Sequence, residues 1–339
     1  MTQPLQPKSK SLSATAKLSV RDVVTYVPDG SGLWPSRRRI LDGVSLDVAA
    51  GEVVALVGES GSGKSTLGRV VAGLLRAESG RVLIDGQPRR AGCDRRVQLV
   101  FQDPFASLNP VHTVAHHVER PLALHTKLSS SERAARAGEL LTSVGLDAAL
   151  LTRRPHALSG GQRQRVAIAR ALAAAPEIIV ADEPTSMLDV STRAGVLALL
   201  RKLADDRRLA ILFITHDLAS AAAVANRVLV LYAGRLVEAG PTATVLSAPA
   251  HPYTRLLLAA APRKSDAPIG GDAGEPEVAE AAPAEAAPAL QGCPFAPRCP
   301  HVLARCRRLL PEPRVLGADH IVRCHLYSAE GVADHAALP

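Results

Sequence analysis

The sequence predicts an α/β fold built around a largely parallel sheet, and three observations carry that prediction. Between 17 and 262, short Val/Ile/Leu runs alternate with Ala/Leu/Arg-rich stretches of helical character. Two of the runs, Val-Val-Ala-Leu-Val between Glu52 and Gly58 and Ile-Leu-Phe-Ile-Thr between Ala210 and His216, are apolar on both faces, as strands inside a parallel sheet are. A glycine-rich segment joins the first of these runs directly to a helical stretch. The chain is 339 residues long, enough for about two domains.

Taken in order, strands are expected at 53–57, 81–84, 97–101, 178–181, 210–214 and 228–232. Helices are expected at 64–75, 130–144, 160–174, 191–205 and 218–226. Good caps precede several of them: Ser159 stands before one helix, and Ser129 to Ser131 precede Glu132 before another. From 264 to 291 the composition turns to Ala, Pro, Glu and Gly, with one Lys against six carboxylates, so a disordered acidic linker is expected over 263–291. Residues 1–16 are also expected to be disordered. Beyond the linker, 292–339 regains Arg and Leu and holds four of the five cysteines, reading as a small appended module.

The net charge is +8, but the arginines are dispersed. Arg37 to Arg39 form the only run of three and read as a solvated surface loop. Nine aromatic residues are too few for stacking platforms that read nucleic acid, or for the aromatic belts of a spanning protein. No stretch approaches the roughly 20 apolar residues that cross a bilayer, because Arg170, Glu177 and Arg227 interrupt the best candidates. The first 20 residues lack the apolar core of a secretory signal, so a cytosolic location is expected, with cysteines acting as thiols or ligands.

Gly58, Glu59, Ser60, Gly61, Ser62, Gly63, Lys64, Ser65 and Thr66 match the G-x4-G-K-S/T pattern in the strand-to-helix context that gives it meaning. Glycines let successive backbone N–H groups turn inward, and the helix N-terminus adds its positive end to hold polyphosphate. Lys64 is expected to reach the terminal phosphates of ATP and Ser65 to ligate Mg2+. The apolar run 178–181 then delivers Asp182 as a second Mg2+ ligand, and Glu183 as a general base for an attacking water.

Leu158-Ser-Gly-Gly-Gln162, continued by Arg163-Gln-Arg-Val-Ala-Ile-Ala-Arg170, resembles the signature motif of ATP-binding-cassette (ABC) ATPases. The resemblance covers 17 to 262 with the motifs in order. It implies an ABC-type P-loop ATPase core with an antiparallel β subdomain and a helical subdomain at about 103–172. In that family two cassettes pack head to tail, so Ser159, Gly160, Gly161 and Gln162 would contact ATP held by a second ABC subunit, identical or paralogous. Gln102 matches the glutamine that senses Mg2+ and the γ-phosphate, His216 the switch histidine, and Asp189 the aspartate across the dimer seam. Tyr26 sits where the family stacks an aromatic on adenine. Met187 departs from the commoner small residue beside Asp189, with little expected effect.

The Gly58–Gly68 segment, the Phe101-Gln-Asp-Pro104 and Ser107-Leu-Asn-Pro110 stretches and His251-Pro-Tyr-Thr254 resemble the oligopeptide/dipeptide import branch, which includes nickel and some oligosaccharide importers. This implies an ATPase on the cytoplasmic face of the membrane, working with two permeases and a solute-binding protein. The segment from Asp103 to Pro110 would receive a permease. A soluble ABC protein acting on DNA or ribosomes is the weaker alternative, because tandem cassettes and a long coiled-coil insertion are both lacking. Cys293, Cys299, Cys306 and Cys324, spaced C-x5-C-x6-C-x17-C, match a tail associated with a [4Fe–4S] cluster; Zn2+ or four plain thiols are the alternatives. His301, His320 and His325 are candidate substitute ligands, and Cys93 an ordinary thiol.

Overall fold

The computed structural model describes residues 16–29, 36–90, 92, 94–260 and 291–328. Apart from Ala16 and Gln291, the expected disordered N-terminus and acidic linker lie outside these residues, as does Cys93. The chain divides into two compact units, 1–236 and 237–339.

The first unit opens with a long antiparallel hairpin, β1 (Ala16–Asp29) and β2 (Ser36–Ala49). Lys17-Leu-Ser-Val-Arg21 alternates polar and apolar residues, and Leu18 and Val20 are fully buried while facing Val48 and Leu46 across the pair. Strands β4 (Ser79–Ile84) and β5 (Gln87–Pro88), which follow later in the chain, complete a sheet ordered β2-β1-β4-β5. This corrects the expectation of a loop at Arg37 to Arg39: the three arginines lie in β2, opposite Pro28, Val27 and Tyr26.

The second sheet of this unit contains five parallel strands in the order β9-β3-β8-β7-β6. These are β3 (Val53–Val57), β6 (Val97–Val100), β7 (Ile178–Asp182), β8 (Ala210–Thr215) and β9 (Arg227–Tyr232). Every residue of β3, β7 and β8 is buried, which explains their continuous apolar sequence. Because the strands are parallel, their carboxyl ends share one sheet edge, and the residues that follow Val57, Val100, Asp182 and Thr215 gather there.

Helix α1 (Lys64–Ala72) packs against β6, β7 and β8. It stops short of the expected residue 75 because Gly73, at φ 82°, turns the chain left-handed and closes the helix through its N–H. The helical region consists of α2 (Pro104–Ser107), α3 (Val114–His125), α4 (Ser130–Ser143) and α5 (Gly160–Ala173). The sequence pattern missed α3, whose interior Pro121 reads as a helix breaker; packing against α4 and α5 offsets that cost. Helices α6 (Val190–Arg207) and α7 (Leu218–Val224) flank the parallel strands.

The second unit joins β10 (Arg235–Pro241), β11 (Arg314–Gly317) and β12 (His320–Val322) into an antiparallel sheet ordered β11-β12-β10, with α8 (Thr242–Ser247) and α9 (Pro252–Ala259). Within it, buried Glu238 organises the His251-Pro-Tyr-Thr254 segment. The Glu238 carboxylate accepts the N–H groups of Ala250 and His251, at 2.8 and 2.9 Å, and pairs with His320 Nε2 at 2.8 Å. Buried Tyr253 and Phe295 pack with ring centroids 5.5 Å apart.

Candidate functional site

Strand β3 ends in the glycine-rich turn. A Cβ on Gly58 would stand 2.2 Å from the Leu231 carbonyl oxygen, so only glycine lets the chain pass. At Gly63, which caps α1 with φ 106°, a Cβ would crowd the Ile40 carbonyl oxygen at 3.0 Å. Lys64 folds back over the turn and donates to the carbonyl oxygens of Gly58 and Glu59, both at 2.8 Å. It is 5% exposed, and burial lowers its pKa while the carboxylates of Glu183 and Asp182 oppose that shift. Such a buried ammonium is a fixed point charge aimed at the loop interior.

Asp182 ends β7 and accepts the Ser65 hydroxyl at 2.9 Å. Burial raises its pKa, the neighbouring Glu183 charge adds to this, and Ser65, Arg69 and Lys64 oppose it. A divalent cation would relieve that desolvation. Two hard oxygen donors, one charged and one neutral, suit Mg2+. Ser65 and Asp182 would hold the ion, which would neutralise phosphate charge.

Glu183 stands between two other predicted residues. Its Oε2 accepts Gln102 Nε2 at 3.2 Å, and its Oε1 lies 3.2 Å from His216 Nδ1. A small cavity opens beside them, walled by Thr185, Ser186, Arg193 and Asp217. Arg193 was not foreseen: it donates to the Leu188 carbonyl at 3.3 Å and lies 3.6 Å from Asp217, tying the start of α6 to the loop after β8. Its only sequence signal is a position four residues after Asp189, which carries no chemistry by itself.

Lys64, Ser65, Asp182, Gln102, Glu183 and His216 thus form one constellation. The Ser159 segment forms another. Ser159 caps α5 by accepting the Gln162 N–H at 3.2 Å, and its own N–H donates to Gln162 Oε1 at 2.9 Å. Gly161 abuts Thr192, where a Cβ would come within 2.1 Å, so the signature rests on the start of α6. There Asp189 accepts the Ser191 and Thr192 hydroxyls and the Thr192 N–H, which together hold its carboxyl well below the usual range. No hydrogen bond joins the two constellations among the described residues.

The sequence pattern of ABC transporters matches residues 41–186, and that of the C-terminal region of oligopeptide/dipeptide transporters matches 237–306. A Brucella abortus protein, itself only provisionally named a peptide import ATP-binding protein, is 48% identical over 302 residues, 85% of this chain and 87% of that one. The oligopeptide transport ATP-binding protein AppF of Bacillus subtilis is 40% identical over 92% of this chain and 97% of its own. The chain belongs to the ABC transporter ATP-binding family, in its oligopeptide/dipeptide branch. Among solved structures, the ABC cassette MJ0796, a dimer in a post-hydrolysis state bound to ADP and Pi, superposes with TM-score 0.59 at 33% identity, covering 66% of this chain and 98% of that one.

As an ABC ATPase, the chain hydrolyses ATP, and the first constellation has the groups for it. Lys64 is a buried cation at the turn, and the Glu183 carboxylate lies beside it with oxygens that can accept a proton. Gln102 and His216 orient the Glu183 carboxylate from either side. Among the described residues, no helix of this ABC protein is long and apolar enough to cross a membrane.

The ABC chain's C-terminal extension corrects the cysteine expectation. Cys293, Cys299, Cys306 and Cys324 lie within electrostatic range of one another, but no group of three or more Cys, His, Asp or Glu residues among the described residues is arranged to hold a metal ion. The sulfurs are packed as free thiols in an apolar setting: burial pushes Cys293 up to about 11 and Cys324 up to about 12. Cys306 Sγ accepts the Leu303 N–H at 3.4 Å. Two of the substitute histidines are engaged elsewhere, His320 with Glu238 and His325 Nε2 with the Leu309 carbonyl at 2.9 Å. The residues as arranged do not fit an iron–sulfur or zinc site.

Proposed function

We propose that this chain is the ATP-hydrolysing subunit of a small-peptide importer, docked peripherally on the cytoplasmic side of two separate permeases and served by a solute-binding protein. The observation that carries the energetic half is the meeting of Gln102, Glu183 and His216 beside Lys64, Ser65 and Asp182. The peptide half rests on the branch-specific match to 237–306 and on relatives named for peptide transport, which favour it over nickel or oligosaccharide and over a soluble role on nucleic acid.

The second constellation supports a paired mechanism. Gly160 and Gly161, set between Ser159 and Gln162 whose own N–H groups are taken up by the cap, open the N-terminus of α5 as a second anion site, separate from the cradle of this chain. A second cassette supplies the missing half, closing over ATP and parting when hydrolysis removes the bridging phosphate, a ligand-biased two-state change. Residues 103–110, with Phe105 half exposed beneath the Arg163 guanidinium at 3.9 Å, form the face read as receiving the permease. The test is uptake of labelled di- and oligopeptides by cells carrying Glu183→Gln in this subunit. Uptake is expected to be lost; peptide uptake at the wild-type rate, with nickel or sugar uptake lost instead, overturns the substrate reading.

A further inference from the structure

Ile40 packs against the cradle. A Cβ on Gly63 would meet the Ile40 carbonyl oxygen at 3.0 Å, and one on Gly234 would meet it at 2.2 Å. Its neighbour Arg39 faces Tyr26 directly across the β1–β2 pair. Arg39 donates through Nε and Nη2 to the Tyr26 hydroxyl oxygen, at 3.0 and 2.8 Å. Its third nitrogen, Nη1, reaches Asp42 Oδ1 at 3.1 Å, and Asp42 Oδ2 pairs with Arg235 at 2.5 Å. The Asp42 N–H donates to the Gly234 carbonyl, and the Gly234 N–H donates to the Ser62 carbonyl, both at 2.9 Å. A continuous run of hydrogen bonds therefore leads from the tyrosine ring back into the phosphate cradle.

From this run we infer that Arg39 is a positioning residue for the base of a bound purine nucleoside triphosphate, fixing the Tyr26 ring at a set distance from the phosphate cradle. The inference rests on reading Tyr26 as the residue that stacks on the base. Arg37 supports the same arrangement: its guanidinium lies 5.3 Å from the Tyr26 ring centroid and is itself paired with Glu78 at 2.7 Å. A partly exposed tyrosine otherwise loses rotamer freedom when a base stacks on it. A guanidinium fork fixed by Asp42 removes that freedom before the ligand arrives. Neither arginine is a loose surface charge, because each carries a carboxylate on its far side.

The test titrates the purified full-length chain with MgATP and, separately, with magnesium tripolyphosphate, which has no base to stack. Tyr26→Leu is expected to weaken ATP binding by about tenfold or more, within the usual range for base–aromatic stacking, and to leave tripolyphosphate binding unmoved. Tyr26→Phe and Arg39→Met should each weaken ATP by about threefold to tenfold, and the double variant no further than either single one, because both remove the same contact. If Tyr26→Leu leaves ATP affinity unaltered, the stacking reading fails. If Tyr26→Leu is weak while Tyr26→Phe and Arg39→Met bind ATP as tightly as wild type or more so, stacking stands and the role of Arg39 falls. Equal losses of ATP and tripolyphosphate in Arg39→Met would also overturn it, showing damage to the cradle in place of a misplaced ring.

Discussion

Glu183 adopts a positive φ of 45°, a conformation that non-glycine residues occupy at a cost of order 1–3 kcal/mol. Its N–H donates to the Ile214 carbonyl at 2.9 Å, which holds the turn and aims the carboxylate between Gln102 and His216. Strain retained at that position fits the general-base role expected of Glu183. Glu183→Gln keeps the shape but removes the base, so ATP binding should persist while turnover falls about 10²–10⁴-fold in a steady-state phosphate-release assay. Near-normal turnover would sink the general-base assignment. Lys64→Ala removes the buried charge at the turn, and nucleotide binding should disappear in an equilibrium titration. Unchanged affinity there would refute the cradle.

At the scale of elements, the turn from β3 into α1 depends on a glycine that no side chain can substitute. Gly58→Ala would set a methyl carbon against the Leu231 carbonyl, and backbone cannot move aside as a side-chain tip can. A loss of about 2 kcal/mol in urea unfolding is expected, together with weakened ATP binding. Helix α9 carries a different dependence. His251 Nδ1 accepts the Tyr253 N–H at 3.0 Å as its cap, and burial holds the imidazole pKa down to about 4. Folding therefore favours the neutral ring, whose contribution is complete above the unfolded pKa near 6.5 and is lost as pH falls toward 4. Up to about 3 kcal/mol of stability is at stake over that window. His251→Asn keeps a capping side chain without the titration, and denaturant midpoints for this variant should decline less between pH 6.5 and 4 than those of wild type.

At the scale of the whole molecule, the proposed pairing would divide one chemistry between the two constellations of two cassettes. A Lys64→Ala chain retains its signature, and a chain altered at Ser159 retains its cradle. Each alone should be inactive, and mixing the two should restore measurable hydrolysis if a composite site forms between chains. A mixture as inactive as its parts would mean that this chain pairs only with a paralogue.

The cradle, the Asp182–Glu183 pair, Gln102, His216 and the signature were legible in the sequence because each is a local pattern at a strand or helix end. Fully buried parallel strands announce themselves by unbroken apolar runs, and their boundaries came within a residue or so. Three features were not legible in this way. Helix α3 hides behind an interior proline, the arginines of β2 read as solvent-facing, and the cysteine spacing suggested ligands that the fold does not assemble. Each depends on partners outside its own stretch of chain: packing from α4 and α5, the hydroxyl of Tyr26 on the neighbouring strand, and thiols set 31 residues apart from Cys293 to Cys324.

The sequence by itself determined the family and the ATP chemistry, and it singled out the residues expected to carry that chemistry, since a polyphosphate cradle and a helix cap are made by consecutive residues. Only the tertiary structure decided what those residues are paired with. Parallel strands bring Gln102, Glu183 and His216 to one sheet edge although 81 residues separate the first two, and a cross-strand register places Arg39 on Tyr26. Both depend on which strands lie side by side, a choice made by burying the whole apolar core at once and therefore absent from any single stretch of the chain.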